Sequence, residues 1–493
     1  MRRTTVLIIL FSIISISHIF AQNEADALRY SQRFFGSTAR SAGMGGAFAS
    51  LGGDFSSLGY NPAGIGVFRT TEFTFTPSFV MDEIRTTYLG DRRIENDRNF
   101  GVGNLGLVAS FTRNRESGWV STNFGFGYHR HNDFNRQQLI EGVNFDNSMA
   151  DYFIDGPFGA NNNFPEELDP FWERLAFDTF IIDTVPGDPT WYETPVMLGQ
   201  TQREIISTSG HTGEWVFSFG GNYANTLYLG ATFGIESVNY TRNSNYTETD
   251  DLNLSHFDQF RFRRNLNTSG TGYTFKAGMI FTPFQVIRLG AAVHLPTFYN
   301  LRDEYHHEME SWFDTGDNYH AVPTTGEGNP IGHRVRDYSL TTPLRFIGGA
   351  GIMLPGQLGV ISVDYEYIDY STARLRATDG GEDFFDQNQV IQDVYRQTHN
   401  LRGGAELRFG PFMLRGGYAI YGSPFASGQV NEDTRHTAYS GGVGFRDRNF
   451  YIDLGYVMTE HEERYFLYDY PGVEPATGRS TNNRFMLTVG MRF

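Results

Sequence analysis

The chain of 493 residues contains no cysteine. That absence excludes disulfides, thiol catalysis, iron–sulfur clusters, cysteine-ligated zinc and c-type haem attachment. Basic clusters are missing as well: 39 Lys and Arg stand against 56 Asp and Glu, a formal charge of −17. Phosphate neutralisation needs such clusters, so nucleic acid is not an expected partner. Past the first twenty-one residues no stretch approaches the ~20 continuous apolar residues of a membrane helix. Glycine (56), phenylalanine (44) and tyrosine (27) are abundant instead, a composition suited to many strands.

Residues 1–21 read as a secretory signal peptide. Arg2 and Arg3 precede an apolar run over 6–20, and Ile19-Phe20-Ala21 ends it before Gln22. With no cysteine after the cleavage point, the exported chain is not a lipoprotein.

The remainder shows repeated two-residue alternation. Phe485, Leu487, Val489, Met491 and Phe493 alternate with Met486, Thr488, Gly490 and Arg492, and Trp215, Phe217 and Phe219 with Val216, Ser218 and Gly220. About ten residues of this kind cross a bilayer as a tilted strand. Fourteen such segments begin near Thr71, Val102, Gly118, Gly213, Leu227, Gly270, Val286, Arg336, Gly359, Thr398, Phe412, Arg435, Phe450 and Thr481. Tight connections at 114–118, 224–226, 283–285, 355–357, 410–411 and 447–449 alternate with long ones at 83–101, 132–212, 242–269, 300–335, 378–397, 425–434 and 469–480. This sorting predicts an all-β fold: a 14-stranded antiparallel transmembrane β-barrel over 70–493, in the outer membrane of a Gram-negative cell, both ends periplasmic. Phe493 closes a terminal strand of the kind that addresses outer-membrane assembly machinery, and outer-membrane lipid surrounds the wall.

The alternation points Glu236, Arg288, His294, Asp364, Glu366, Arg402, Glu406, Arg408, Arg415, Asp453 and Arg492 into the lumen. Ionisable residues opposite an apolar face require water or polar partners there. A pore would supply the first, a plug the second. Residues 22–69 are the plug candidate: a short helix over 24–35, then a glycine-rich stretch carrying Met44, Phe48, Leu51, Phe55, Leu58, Tyr60 and Ile65, too apolar for a free tail. Within the long loops, Asp169 and Pro170 start a helical piece placing Phe171, Trp172, Leu175 and Ala176 together, and 383–396 forms another. Both pack against neighbouring loops or offer an apolar landing surface.

The run Ala39-Arg-Ser-Ala-Gly-Met-Gly-Gly-Ala-Phe, then Asn61-Pro62-Ala63-Gly64, ahead of fourteen strands ending in Phe493, resembles the FadL/TodX (OMPP1) family of outer-membrane transporters for hydrophobic compounds. The long loops and the glutamine after the signal look like its Bacteroidota members, often labelled "hemin receptor". The resemblance implies that 22–69 is a hatch to which Asn61, Pro62, Ala63 and Gly64 belong. It implies a kinked third strand, here 119–133 with Gly125 and Gly127 at its middle, through which a small hydrophobic ligand resembling a long-chain fatty acid diffuses sideways into the membrane. A polar lumen is a poor corridor for such a ligand, forfeiting ~0.8 kcal/mol per methylene. The very long loop 132–212 departs from the family.

Other readings leave traces. His129 and His131 share a strand face with Asp133 and are the metal candidates; lumen polarity explains them more simply. The pair His306-His307 is weaker, its members pointing to opposite faces. No Gly-x-Ser-x-Gly or His-Glu-x-x-His arrangement supports an enzyme. No cofactor is implied. A 22-stranded receptor would exceed this length. A general diffusion porin would share the polar lumen but would not need an apolar hatch, and an outer-membrane partner of a type IX-like secretion system carries a similar N-terminus.

Overall fold

The computed structural model describes residues 24–34, 36–113, 117–156, 159–325, 328–378 and 384–493. The predicted signal peptide lies outside them, as do residues 114–116 of the first tight turn and Phe35 and Asp383 at helix ends.

Fourteen antiparallel strands close into one barrel. The first seven are β1 (Glu72–Tyr88), β2 (Asp91–Thr112), β3 (Trp119–Asp133, continued by Arg136–Asn144), β4 (Gln200–Tyr223), β5 (Leu227–Thr249), β6 (Phe257–Phe284) and β7 (Ile287–His294, then Phe298–Phe313). The rest are β8 (Arg334–Thr341, then Arg345–Leu354), β9 (Gly359–Asp369, then Arg374–Ala377), β10 (Gln397–Phe409), β11 (Phe412–Tyr421), β12 (His436–Arg446), β13 (Phe450–Tyr465) and β14 (Ala476–Arg492). β14 pairs back onto β1 from Glu72↔Arg492 to Thr87↔Thr477, and the Phe493 N–H donates to the Thr71 carbonyl at 2.9 Å. The sheet thus closes on itself between its first and last strands, as a lipid environment demands.

Two interruptions are written by proline, which cannot donate a ladder bond. Pro296 divides β7 and Pro343 divides β8 at the same height. The flanking residues repair the gap locally: the Thr342 N–H donates to the Thr297 carbonyl at 3.0 Å, and the Thr297 N–H to the Thr342 hydroxyl at 2.9 Å.

The outer face carries the apolar half of each alternation. Trp215, Phe217 and Phe219 are exposed while Val216 and Ser218 are buried. Phe73, Phe75 and Phe79 on β1 continue this belt to Phe485, Leu487 and Met491 on β14. Such a belt on a closed barrel belongs in the outer membrane. No helix among the described residues is long and apolar enough to cross it.

The wall rises well beyond the lipid. β5 has 23 residues and β6 has 28, against roughly ten needed to cross the hydrocarbon. The stretches 83–101 and 242–269, expected as loops, are therefore mostly strand. β1 and β2 join at Leu89 and Gly90, the glycine at φ +92°, and β5 stops only at Thr249. Outside the bilayer neither face meets lipid, so outward positions carry Asn239, Asn243 and Asn245 in place of aromatics. The ladder continues while the apolar period that would reveal it ends. For the same reason β4 begins at Gln200 instead of Gly213.

The described residues of the longest connection, 145–156 and 159–199, fold into the barrel mouth. Its helices α4 (Met149–Asp155) and α5 (Glu173–Asp178) place Met149, Phe153, Leu175 and Ala176 against Tyr246, Phe260, Phe262 and Met309 of the upper wall. Both loop pieces expected from sequence pack inward: Phe171 is buried, and Ile391 and Val394 of the helix Phe385–Val394 are buried. Glu248 of β5 pins the start of α4, accepting from the Ser148 hydroxyl at 2.6 Å and the Met149 N–H at 2.7 Å.

Burial pushes the Glu173 carboxyl of this cap up to about 8. In the unfolded cap it ionises near the ordinary carboxylate value of ~4.3. The folded cap thus holds the extra proton between these values, and its stability falls as pH rises through that window. Amide protection factors over 145–199, which divide out the base-catalysed rise of free-amide exchange with pH, should be larger at pH 5 than at pH 8.5. Glu173→Gln should remove most of the difference; an unchanged pH dependence in that variant would show that another group is responsible.

Candidate functional site: the hatch and the β2–β3 seam

Residues 24–34 and 36–68 run through the lumen. Helix α1 (Glu24–Ser31) lies toward the mouth, where Ala27 and Tyr30 join Tyr240, Tyr299, Leu301, Tyr338 and Ile391 in one apolar cluster. Helices α2 (Ala39–Gly43) and α3 (Ser57–Tyr60) and the 3-10 turn Pro62–Val67 fill the membrane level below. Met44, Phe48, Leu51, Phe55, Leu58 and Ile65 are all buried.

The wall makes room with glycine. A Cβ at Gly106 or Gly127 would collide with Phe55, at Gly125 with Leu58, at Gly230 with Pro62, at Gly278 with Asn61 and at Gly404 with Met44. Strand glycine often marks close approach by another backbone or a ligand; here the approaching group is the hatch.

The Asn-Pro-Ala-Gly motif is a buried fold-back. The Asn61 side chain accepts from the Ala63 N–H at 3.1 Å and donates to the Ala49 carbonyl at 2.5 Å and to the Met279 carbonyl of β6 at 3.2 Å. Pro62 occupies the first position of the 3-10 turn, where no N–H is required. The Gly64 carbonyl accepts from the Gly53 N–H at 3.0 Å, and Asn61 ties the two glycine-rich runs together and to the wall.

The lumen residues expected from alternation grip this segment. Arg40 bonds Glu406 at 2.9 Å, and Glu406 also holds Arg415 at 2.9 Å and Arg408 at 3.0 Å. Arg415 reaches Asp453 at 2.7 Å. Asp364 accepts the Ala49 N–H at 2.8 Å, Arg288 donates to the Leu51 carbonyl at 2.8 Å, and a His294 ring nitrogen lies 2.7 Å from the Tyr60 carbonyl oxygen. Arg402 pairs with Glu366 at 2.9 Å and covers the Tyr60 ring at 4.8 Å. Glu366 also pairs with Arg345, which donates to the Ser31 carbonyl at 2.7 Å. Glu236 pairs with Arg33 of the hatch. The mixed charge of the lumen is a socket.

Among the described residues, the wall is weakly paired between the upper parts of β2 and β3. β2 pairs with β1 along its whole length above Val108. It pairs with β3 only from Asn104↔His129 down to Thr112↔Ser121. A bulge at Gly103 on β2 and another at His131 on β3 flank the point where the ladder stops. Gly125 and Gly127 sit below it, paired on both sides: Gly125 with Val108 and Ser218, Gly127 with Gly106 and Val216. The departure of the third strand therefore lies at 129–133, and the two glycines serve the hatch.

No protein-family model matches the chain, and no curated protein matches it significantly. Solved structures do. A Pseudomonas aeruginosa FadL homologue superposes with a TM-score of 0.57 at 13% identity, covering 94% of this chain and 100% of that one. The Pseudomonas putida toluene transporter TodX gives 0.53 at 12%, covering 93% and 99%. The Ralstonia pickettii toluene transporter TbuX gives 0.50 at 14%, again covering 93% and 99%. The fold resembles that of FadL-type channels.

Within this FadL-like frame the histidines have structural partners. His129 Nδ1 lies 2.9 Å from the Ser37 hydroxyl and its ring 4.7 Å from that of Phe55. His131 Nε2 lies 3.0 Å from Glu214. The donor atoms of His131, Glu214 and Glu236 are close enough to share an ion. However, Lys276 bonds Glu214 at 2.5 Å and Arg33 bonds Glu236, supplying the positive charge a metal would bring.

Sequence reasoning passed over Lys276, the only lysine in the chain. It is fully buried and donates to the Gly59 carbonyl at 3.2 Å as well as to Glu214. Its rarity among 39 basic residues was a readable signal, because an ammonium packs where a guanidinium is too broad. Arg33 carried no such signal, its partners being remote in sequence.

Glu406→Ala removes the carboxylate shared by Arg40, Arg408 and Arg415. Arg415 keeps Asp453 and Arg408 is 35% exposed, but the buried Arg40 guanidinium loses its carboxylate partner, and breaking such a buried pair costs about 3 kcal/mol or more. Limited proteolysis should then cut within 39–66 at least tenfold faster than in the parent, while the barrel still migrates as a folded species. Equal protection would mean that the ion pairs do not retain the hatch.

Proposed function

We propose that the chain passes small apolar molecules across the outer membrane by diffusion and releases them sideways into the lipid through the β2–β3 seam. The observation that carries this reading is the missing ladder above Asn104 and His129, beside a lumen filled by the hatch. An apolar solute in this socket would sit among Glu406, Arg415, Asp364 and Lys276 and lose ~0.8 kcal/mol for each methylene no longer in an apolar environment. Leaving through the wall at membrane height shortens that passage. The likeness to structures described as toluene transporters and a FadL homologue supports the same class of cargo.

A general porin fits less well, since a water-filled pore has no use for inner-wall glycines shaped to Phe55, Leu58 and Asn61. The Asn61, Pro62, Ala63 and Gly64 fold-back serves in this reading as the hatch's fixed point on β6, with Gln22 the first residue of the mature chain.

Mass spectrometry of organic extracts from gently purified protein tests the proposal, with a variant lacking residues 23–66 as the control. Fatty acids or other apolar molecules enriched on the full chain and absent from the variant are the expected result, and they identify the cargo. No enrichment, together with equal uptake of an apolar tracer by protein-containing and protein-free liposomes, would overturn it.

A further inference from the structure

The seam left open by the backbone is closed by side chains. Arg130 belongs to the outer-facing register of β3, in sequence with the exposed Phe124 and Phe126. Its guanidinium nevertheless turns through the wall and lies on Gly101 of β2, where an added Cβ would collide with it. Asp133 holds it at 3.3 Å. Asp133 in turn accepts from the Asn99 side chain of β2 at 2.9 Å. Arg130 and Asp133 are only 15% and 10% exposed, little for charged groups at the outside of a barrel.

Directly behind Arg130 lies a cavity of about 20 Å³ between β3 and the hatch, bordered by Ser37, Ser41, Gly59, Tyr60 and His129. Removing the Arg130 side chain would join this space to the seam. The seam opens beside Phe79 and Phe100, exposed aromatics at the upper part of the lipid-facing belt.

We propose that Arg130 is the door of the lateral window, with Asp133 and Asn99 as its latch. This rests on the functional reading above and adds the device that opens and shuts its exit. In the closed state the guanidinium fills the gap beside Gly101. In the open state the long side chain swings to the outer surface, where its register already points, and its charge reaches the headgroup region as arginine does near a membrane interface. Only side-chain rotations and the 3.3 Å and 2.9 Å contacts need change; the hatch stays in its socket.

The absence of cysteine makes the test direct. With Ser41→Cys as a cavity reporter in proteoliposomes, a maleimide dissolved in the bilayer should react at least tenfold faster when Arg130→Ala is also present. Equal rates would overturn the door, whatever the cargo. In a second arm, Asn99→Cys with Asp133→Cys is bridged by a short reducible crosslinker, and transfer of an apolar tracer is compared before and after reduction of the same sample. Transfer blocked by the bridge and restored on reduction supports the latch; transfer undiminished by the bridge overturns it. If the parent chain transfers nothing while the cavity reporter responds to Arg130→Ala, the door stands and the transport reading falls.

Discussion

The charged inner wall and the hatch backbone complete one another, and most other features follow from that fit. Glu406, Asp364, Glu366 and Arg402 are wholly or almost wholly buried, and isolated charges in such a place are costly. The hatch supplies what they need: the Arg40 guanidinium, the Ala49 N–H, the Tyr60 ring and the Ser31 carbonyl through Arg345. The hatch in turn brings short, irregular backbone whose polar groups cannot be left without partners. The Asn61 and Lys276 bonds to carbonyls, the Thr232 hydroxyl on the Leu58 carbonyl at 2.8 Å and the Asn123 amide on the Ile65 carbonyl at 2.6 Å meet that need. A hatch so engaged on nearly every side is poorly suited to leaving with each molecule transported. Economy of movement favours the place where the wall is held by side chains alone.

Glycine connects composition to this arrangement. Its abundance suits strands and turns, yet much of it lies on inward positions where a side chain would collide with the hatch, as at Gly278 under the Asn61 side chain and Gly404 under the Met44 backbone. Gly101 has another use, accommodating the Arg130 guanidinium at the seam. The same residue type thus builds both the tightest and the most openable contacts of the barrel.

The number of strands, the short turns and the lumen register were legible because lipid on one side and polar groups on the other impose a strict period of two. Legibility ended where that contrast ended. Above the bilayer Asn239, Asn243 and Asn245 face water, so the upper halves of β5 and β6 read as loop. The hatch was visible through its apolar residues and the Asn61-Pro62-Ala63-Gly64 motif, but its partners were not, since Arg40 and Glu406 are 366 positions apart. At the third strand, glycine directed attention to Gly125 and Gly127, while the bulges at Gly103 and His131 depend on pairing between strands, which no single segment encodes.

Ion conductance of the full chain in a planar bilayer distinguishes a lumen closed by the hatch from one that ions can follow. With the hatch in its socket, no steady conductance above that of the lipid alone is expected, even from preparations that transfer an apolar tracer. A constant open-channel current from the same preparation would contradict it, because ions could then follow the lumen past the ion pairs around Arg40 and Glu406.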